Sequence, residues 1–276
     1  MITVLTVEDC RPKHWYEHIL SLFSPQSIDC RFVEKKGVQI LYINVKKRKS
    51  KLPWRRISKI AGSNKCKILC DESINIPSKY GIRRFNDKGL SYKLCRNALF
   101  FSLRESNVNP TQLKISIYDP DGMHPDIVQY FLPFTSQLKV VTNKAQLYKE
   151  ELDRLMNEHG ASVFLSNNIQ CLYPCNVIVA LDRIATPLGS KRNTVIFTTD
   201  KPAVPIKGII YHNYEISHNN VYNSLKPRLM NQEYFLSALY KEYLMYEFEE
   251  IRPYRCKSMN NWYTIEDICK VIIEQM

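Results

Sequence analysis

"LKISIYDPDGMHPDIVQYFLPFTSQLKVVTNKAQ", residues 113–146, sets the architecture of this chain. "LKISIYD" (113–119) and "LKVVT" (138–142) are short apolar runs rich in β-branched residues, and "HPDIVQYFLPFTS" between them has helical spacing. The alternation continues: "AQLYKEELDRLMNEHG" reads as a helix, "ASVFLS" (161–166) as a strand, and "CNVIVAL" (175–181) and "NTVIFTTD" (193–200) as two further buried strands. Apolar strands separated by amphipathic helices argue for βαβ units, because a parallel sheet is covered on both faces. The expectation is an α/β fold with a mainly parallel sheet flanked by helices.

Upstream, "ITVLTV" reads as a strand, and "RPKHWYEHILSLF" as a helix with Trp15, Ile19, Leu22 and Phe23 on one face. "IDCRFVE" and "VQILYINV" alternate as two strands around a "KKG" hairpin turn. "WRRISKIAG" spaces Trp54, Ile57, Ile60 and Ala61 as a helix that Gly62 caps, "KCKILC" reads as a short strand, and a longer helix starts from Asn86 or Asp87. The pattern changes near "ESNVNPTQ" (105–112), which puts a smaller N-terminal α+β domain at 1–110 and an α/β domain with C-terminal helices at 111–276. "NQEYFLSALYKEYLMYEFEEI" and "TIEDICKVIIEQM" are those helices, the second capped by Thr264. Tyr234, Tyr240, Tyr243 and Tyr246 on the first are expected to pack it rather than to stack on a ligand.

At 276 residues, with 45% hydrophobic and 24% charged side chains, the composition is that of a globular chain. No apolar run approaches the ~18 residues of a membrane span, so no membrane role is expected. Nine cysteines, an odd number without a CxxC pair, fit a reduced, cytoplasmic setting. The net charge of +12 favours polyanionic partners, and its excess is local: from Lys35 to Cys70 twelve Lys or Arg stand without an Asp or Glu. Lys46, Lys47, Arg48 and Lys49 on the connector "KKRKSK", with Arg55 and Arg56 on the helix after it, form a candidate nucleic-acid face. The one aromatic there, Trp54, belongs to the inward side of the helix, whereas RNA-binding surfaces interleave exposed aromatics with charge. A solvated or domain-facing surface is the favoured reading.

"VVTNKAQ" at the end of the second strand, and "CNVIVALDRIATPLG" followed by "NTVIFTTDKP", make residues 113–202 resemble the nucleotide-binding domain of shikimate dehydrogenases and glutamyl-tRNA reductases. The resemblance implies a Rossmann-like sheet. It also implies Thr142, Asn143 and Lys144 where a ribose or its 2′-phosphate is read, and NADP as a candidate cofactor. A pyrophosphate needs bare backbone N–H groups at a helix start, the role of G-x-G-x-x-G. The corresponding loop, "YDPDGMHPDIVQ", has one glycine, Gly122, and sets Asp119 and Asp121 where a phosphate would lie. Those carboxylates suit a hard cation, or else Asp119 ends the strand and Asp121-Gly122 turns the chain into the next helix. The latter is the favoured reading, and no N-terminal substrate motif of the two enzyme types can be mapped.

The remaining motifs carry little chemistry. His14 and His18 stand four apart, but Trp15 holds the place of the general base in the zinc-protease motif. Cys66/Cys70 and Cys171/Cys175 share a C-x3-C spacing that fits buried small side chains better than zinc knuckles. No metal site and no catalytic residue is assigned. Three functions follow in order: a nucleotide-fold protein that has lost its glycine fingerprint and acts as a regulatory, ligand-sensing or assembly module; an NAD(P)-dependent oxidoreductase with an atypical phosphate loop; and a nucleic-acid-binding protein. The strand ends are the expected place for a small-molecule ligand.

Overall fold

The computed structural model describes residues 1–9, 26–47, 51–189, 193–216, 221–243 and 251–275. The helix read over "RPKHWYEHILSLF", with His14 and His18, lies outside them, as do Arg48, Lys49 and Tyr246. The protein forms two compact units, one of Met1–Leu90 with Val221–Tyr246, the other of Ser91–Asn220 with Glu247–Met276.

In the first unit β1 (Ile2–Asp9), β2 (Ile28–Lys35), β3 (Val38–Lys47) and β4 (Ile68–Cys70) form a sheet in the order β2-β3-β1-β4. β1 runs parallel to both β3 and β4, while β2 pairs antiparallel with β3. The hairpin between β2 and β3 turns on Lys36 and Gly37, both at positive φ (49° and 78°), the backbone that a tight two-residue turn requires. Alternation sorts the sheet's faces. Leu5, Ile43, Val45, Ile68 and Cys70 pack with Trp54, Ile57 and Ala61 of α1 (Trp54–Ala61). The first half of "KCKILC" differs from the strand expected: Gly62–Lys67 is a 3-10 helix, and only Ile68–Cys70 enters the sheet.

The sequence-read boundary at 110/111 differs from the division into units, since the helix at Gln232–Tyr243 belongs with the first unit. Its Tyr243 hydroxyl donates to Gln39 O (2.9 Å) and its Tyr234 hydroxyl to Phe85 O (3.0 Å), and Tyr240 is buried. Glu242 from the same helix pairs with the N-terminal amine and with Lys67. Pairing across some 200 residues of sequence leaves no local signal.

The second unit carries α2 (Gly89–Ser106), β5 (Lys114–Tyr118), α3 (Ile127–Phe131), β6 (Gln137–Val141), α4 (Ala145–His159), β7 (Phe164–Ser166), β8 (Val177–Ala180), β9 (Val195–Thr198), β10 (Ile209–Ile216), β11 (Pro253–Ser258), β12 (Asn261–Thr264) and α6 (Ile265–Glu274); the Gln232–Tyr243 helix of the first unit is α5. Its sheet has the order β12-β11-β10-β9-β8-β5-β6-β7. β5 to β10 are all parallel, and taken in sequence order they stand 3-2-1-4-5-6, the order of the doubly wound dinucleotide fold. The antiparallel pair β11–β12 extends the sheet past β10. The fold is therefore α/β and Rossmann-like, with a smaller N-terminal sheet.

Tyr118, Val141, Ile178, Ala180 and Ile196 meet Leu172, Ile184 and Leu188 on one face. α2 belongs to the same unit: its Cys95 thiol lies 4.0 Å from Ala180 O, and Cys269 of α6 donates to Ser102 O. The connections 181–194 and 199–208 contain no helix among the described residues, unlike the crossovers before β6 and β7. α6 begins with a reciprocal capping box between Thr264 and Asp267.

Candidate functional sites at the strand ends

The crossover from β5 to α3 is where a dinucleotide fold holds pyrophosphate, and here the protein fills that place itself. Asp119, 3% exposed, accepts from the backbone N–H of Met123 (3.2 Å) and of His124 (2.9 Å) and from the Tyr148 hydroxyl (2.8 Å). Gly122 N–H donates to Asp119 O, and Asn143 N–H to Pro120 O, which ties the loop down onto the turn after β6. Gly122 sits at φ +64°, and a Cβ there would lie 2.8 Å from Lys144 Cβ, so this glycine serves close packing within the protein. Two of the loop's N–H groups, those of Met123 and His124, are thus taken by the carboxylate. The loop does not fit a pyrophosphate.

Burial first, and then the neighbouring Asp119 charge, push the Tyr148 phenol up, so it stays protonated as a donor. Tyr148 comes from α4, 29 residues beyond Asp119, and sequence reading missed it. Its signal was an amphipathic helix with a tyrosine at a buried position, which says nothing about the partner. His124 packs against Tyr92 in a tilted arrangement with ring centroids 4.1 Å apart, and burial holds it below its ordinary range against the opposing pull of Asp119 and Asp126.

The other expected residues are arranged around this loop. Asp121 is exposed, away from the three bonds of Asp119. Thr142 is buried, and its Oγ1 accepts from Lys144 N–H, while the side chains of Asn143 and Lys144 face solvent at the end of β6. Nearby in the same unit, Arg96 is 3% exposed and lays its guanidinium over the Tyr130 ring at 4.0 Å, with its Nε donating to Asn97.

The basic segment divides between two surroundings. Arg55 and Arg56 lie exposed on the outer side of α1, Arg56 donating to Gln26 O. Lys46 pairs with Asp29 at 3.4 Å. Lys47 and Lys51 instead line a cavity of about 1040 Å³ at the carboxyl ends of β1, β3 and β4. Among the described residues no group of three or more His, Cys, Asp or Glu is placed to hold a metal ion. Cys66 is exposed and Cys70 buried, and Cys175 accepts from Ser116 Oγ at 2.7 Å. No helix among the described residues is long and apolar enough to cross a membrane.

No family model and no curated protein matches the sequence. Among solved structures the protein is similar to a dipicolinate synthase subunit from Bacillus subtilis, at 10% identity over 87% of this sequence and 96% of that one, with a TM-score of 0.39. It is similar also to L-tryptophan dehydrogenase from Nostoc punctiforme, at 10% identity over 99% of this sequence and 80% of that one, with a TM-score of 0.35. A third is an archaeal alanine dehydrogenase dimer with bound NAD, at 10% identity over 71% of this sequence and 67% of that one, with a TM-score of 0.29. Likenesses this distant say nothing about activity, and the fold assignment rests on the strand order.

Proposed function

We propose that the protein is a ligand-sensing, regulatory or assembly module built on a Rossmann-like fold whose phosphate loop is closed by its own carboxylate. The single observation that carries this reading is Asp119, whose two oxygens hold Met123 N–H, His124 N–H and the Tyr148 hydroxyl. A pyrophosphate entering the loop would lose those donors and meet a buried negative charge. Two like charges about 4 Å apart at an effective dielectric near 20 repel by about 4 kcal/mol, roughly a thousandfold in affinity. The alternative, an NAD(P)-dependent oxidoreductase, draws its support from the exposed side chains of Asn143 and Lys144 at the end of β6, the ribose position of the fold.

The two readings separate in a thermal-shift titration with NAD⁺ and NADP⁺. The expected outcome is no saturable stabilisation at millimolar cofactor. Saturable stabilisation by NADP⁺ that disappears in Asn143→Ala and Lys144→Ala would replace the module reading with the oxidoreductase one.

A further inference from the structure

The cavity of the first unit has the position, size and charge of a small-molecule site. It lies outside the carboxyl ends of β1, β3 and β4, which run parallel, and open α/β sheets bind ligands at that end. Its volume, about 1040 Å³, is at the upper end of the range of ligand pockets. Among the described residues its wall is partly apolar, with Leu52, Trp54, Ile74, Pro77, Tyr80 and Met230.

The polar groups are unevenly satisfied. Lys47, Lys51, Lys79 and Arg228 line the cavity together with Glu8, Asp9 and Asp71. The carboxylates are engaged: Glu8 takes the Asn44 amide at 2.8 Å, and Asp71 takes the N–H and hydroxyl of Ser73. Lys47, Lys51 and Arg228 have no ion pair among the described residues, and Lys79 lies over the Tyr80 ring at 5.0 Å. α1 adds to the positive side, since it starts at Trp54 in the cavity wall with no acidic residue in its first turn and no capping side chain.

The walls are braced rather than loose. Arg84 donates to the carbonyls of Asp71, Glu72 and Ile74, fixing the loop after β4, and Ser58 of α1 donates to Tyr80 O. Lys226 donates to Pro227 O (3.2 Å) and Met230 O (2.7 Å), which holds the turn carrying Arg228 and Leu229. Leu229, 90% exposed, belongs to the same lining and adds an apolar side chain beside Arg228.

We propose that this cavity binds an anionic small molecule with a flat aromatic body. Trp54, Tyr80 and Leu229 take the body, and Lys47, Lys51 and Arg228 take a phosphate or carboxylate. The site belongs to the first unit alone and is independent of the loop at Asp119.

The test titrates the full-length protein with 1-anilinonaphthalene-8-sulfonate, an anionic aromatic fluorophore. Expected is saturable binding at one site per molecule, weakened at least tenfold in Lys47→Glu/Arg228→Glu. It should be unchanged in Arg55→Glu/Arg56→Glu, which alters charge equally on the outer side of α1. Leu229→Ser, at a solvent-exposed position that folding does not need, should weaken binding several-fold and guards against misreading a fold defect. Displacement by AMP assigns the anion as a phosphate, and displacement by 1-naphthoate as a carboxylate. Displacement by neither, absence of saturation, or equal losses in both charge-reversal variants would overturn the proposal.

Discussion

Both units bring the carboxyl ends of parallel strands together, and the two ends have opposite fates. In the second unit Asp119 reaches back over its own loop and takes the N–H groups of Met123 and His124, with Tyr148 closing the carboxylate from the α4 side. In the first unit the acids at the strand ends are engaged locally, while Lys47, Lys51 and Arg228 face a cavity of about 1040 Å³. Topology supplies a crevice in each case, but whether it becomes a site depends on which side chains have already spent their hydrogen-bonding capacity. A strand order alone is thus a poor guide to what a fold of this kind binds.

The sharpest way to break this contrast is to remove the closure. Asp119→Ala leaves two backbone N–H groups without an acceptor and the buried Tyr148 phenol with only the 3.4 Å contact to His124 O, and it should cost about 4 kcal/mol in urea unfolding. Asp119→Asn keeps one acceptor oxygen and should cost about half as much. A loss in Asp119→Ala below about 1 kcal/mol would show that the carboxylate is not what closes the loop.

Gly122→Ala tests the packing side of the same closure. The added Cβ would press on Lys144 Cβ at 2.8 Å from a backbone at positive φ, and the expected cost is about 2 kcal/mol by thermal or urea unfolding. Substitution at Gly62, whose surroundings are open, would carry the conformational cost without the clash and so separates the two contributions.

The smallest effect belongs to the α6 cap, remote from the loop at Asp119. Thr264→Ala should cost about 1 kcal/mol. The Thr264 N–H, followed by its hydroxyl, holds the Asp267 carboxyl below the usual carboxylate range. A folded pKa lower than the unfolded one gives stability that is full above the unfolded value and is lost as pH falls through the folded value. Urea unfolding between pH 5 and pH 2 should therefore show a loss in the natural protein that Asp267→Asn flattens. A profile unchanged by that substitution would remove the carboxylate from the cap.

Much of the second unit is legible in the sequence. β5, β7, β8 and β9 fall within the strands expected, β6 is shifted one residue toward the N-terminus of its expected strand, α4 matches "AQLYKEELDRLMNEH", and Thr264 caps its helix as read. These are local signals: apolar runs of strand length, helical spacing, and a hydroxyl residue at a helix start. β10, β11 and β12 escaped, because "IIYHNYEI" mixes polar and aromatic residues and "PYRCKS" opens on a proline, so neither carries a clean period. The helix at Gln232–Tyr243 was readable as a helix but not as a neighbour of β1 and β3, which precede it by some 200 residues.

The candidate sites were less legible than the fold, and for a physical reason. Asp119 and Gly122 stood out in the loop, but a carboxylate next to a missing glycine fingerprint reads equally as a cation ligand or as a turn residue. Only the approach of Tyr148, and the direction of two backbone N–H groups, show it to be an internal acceptor. In the same way the basic run advertised charge without direction, and the fold sent Arg55 and Arg56 outward while turning Lys47 and Lys51 to a cavity.

By itself the sequence determined which residues form strands and helices and which of their faces are apolar, since those properties are written at spacings of two and of three to four residues. Tertiary structure alone decided the 3-2-1-4-5-6 order, the pairing of Asp119 with Tyr148, and the meeting of Trp54, Lys47 and Arg228 around one cavity. Periodicity records that a face is to be buried, but the partner that buries it is chosen by packing between segments far apart in the sequence.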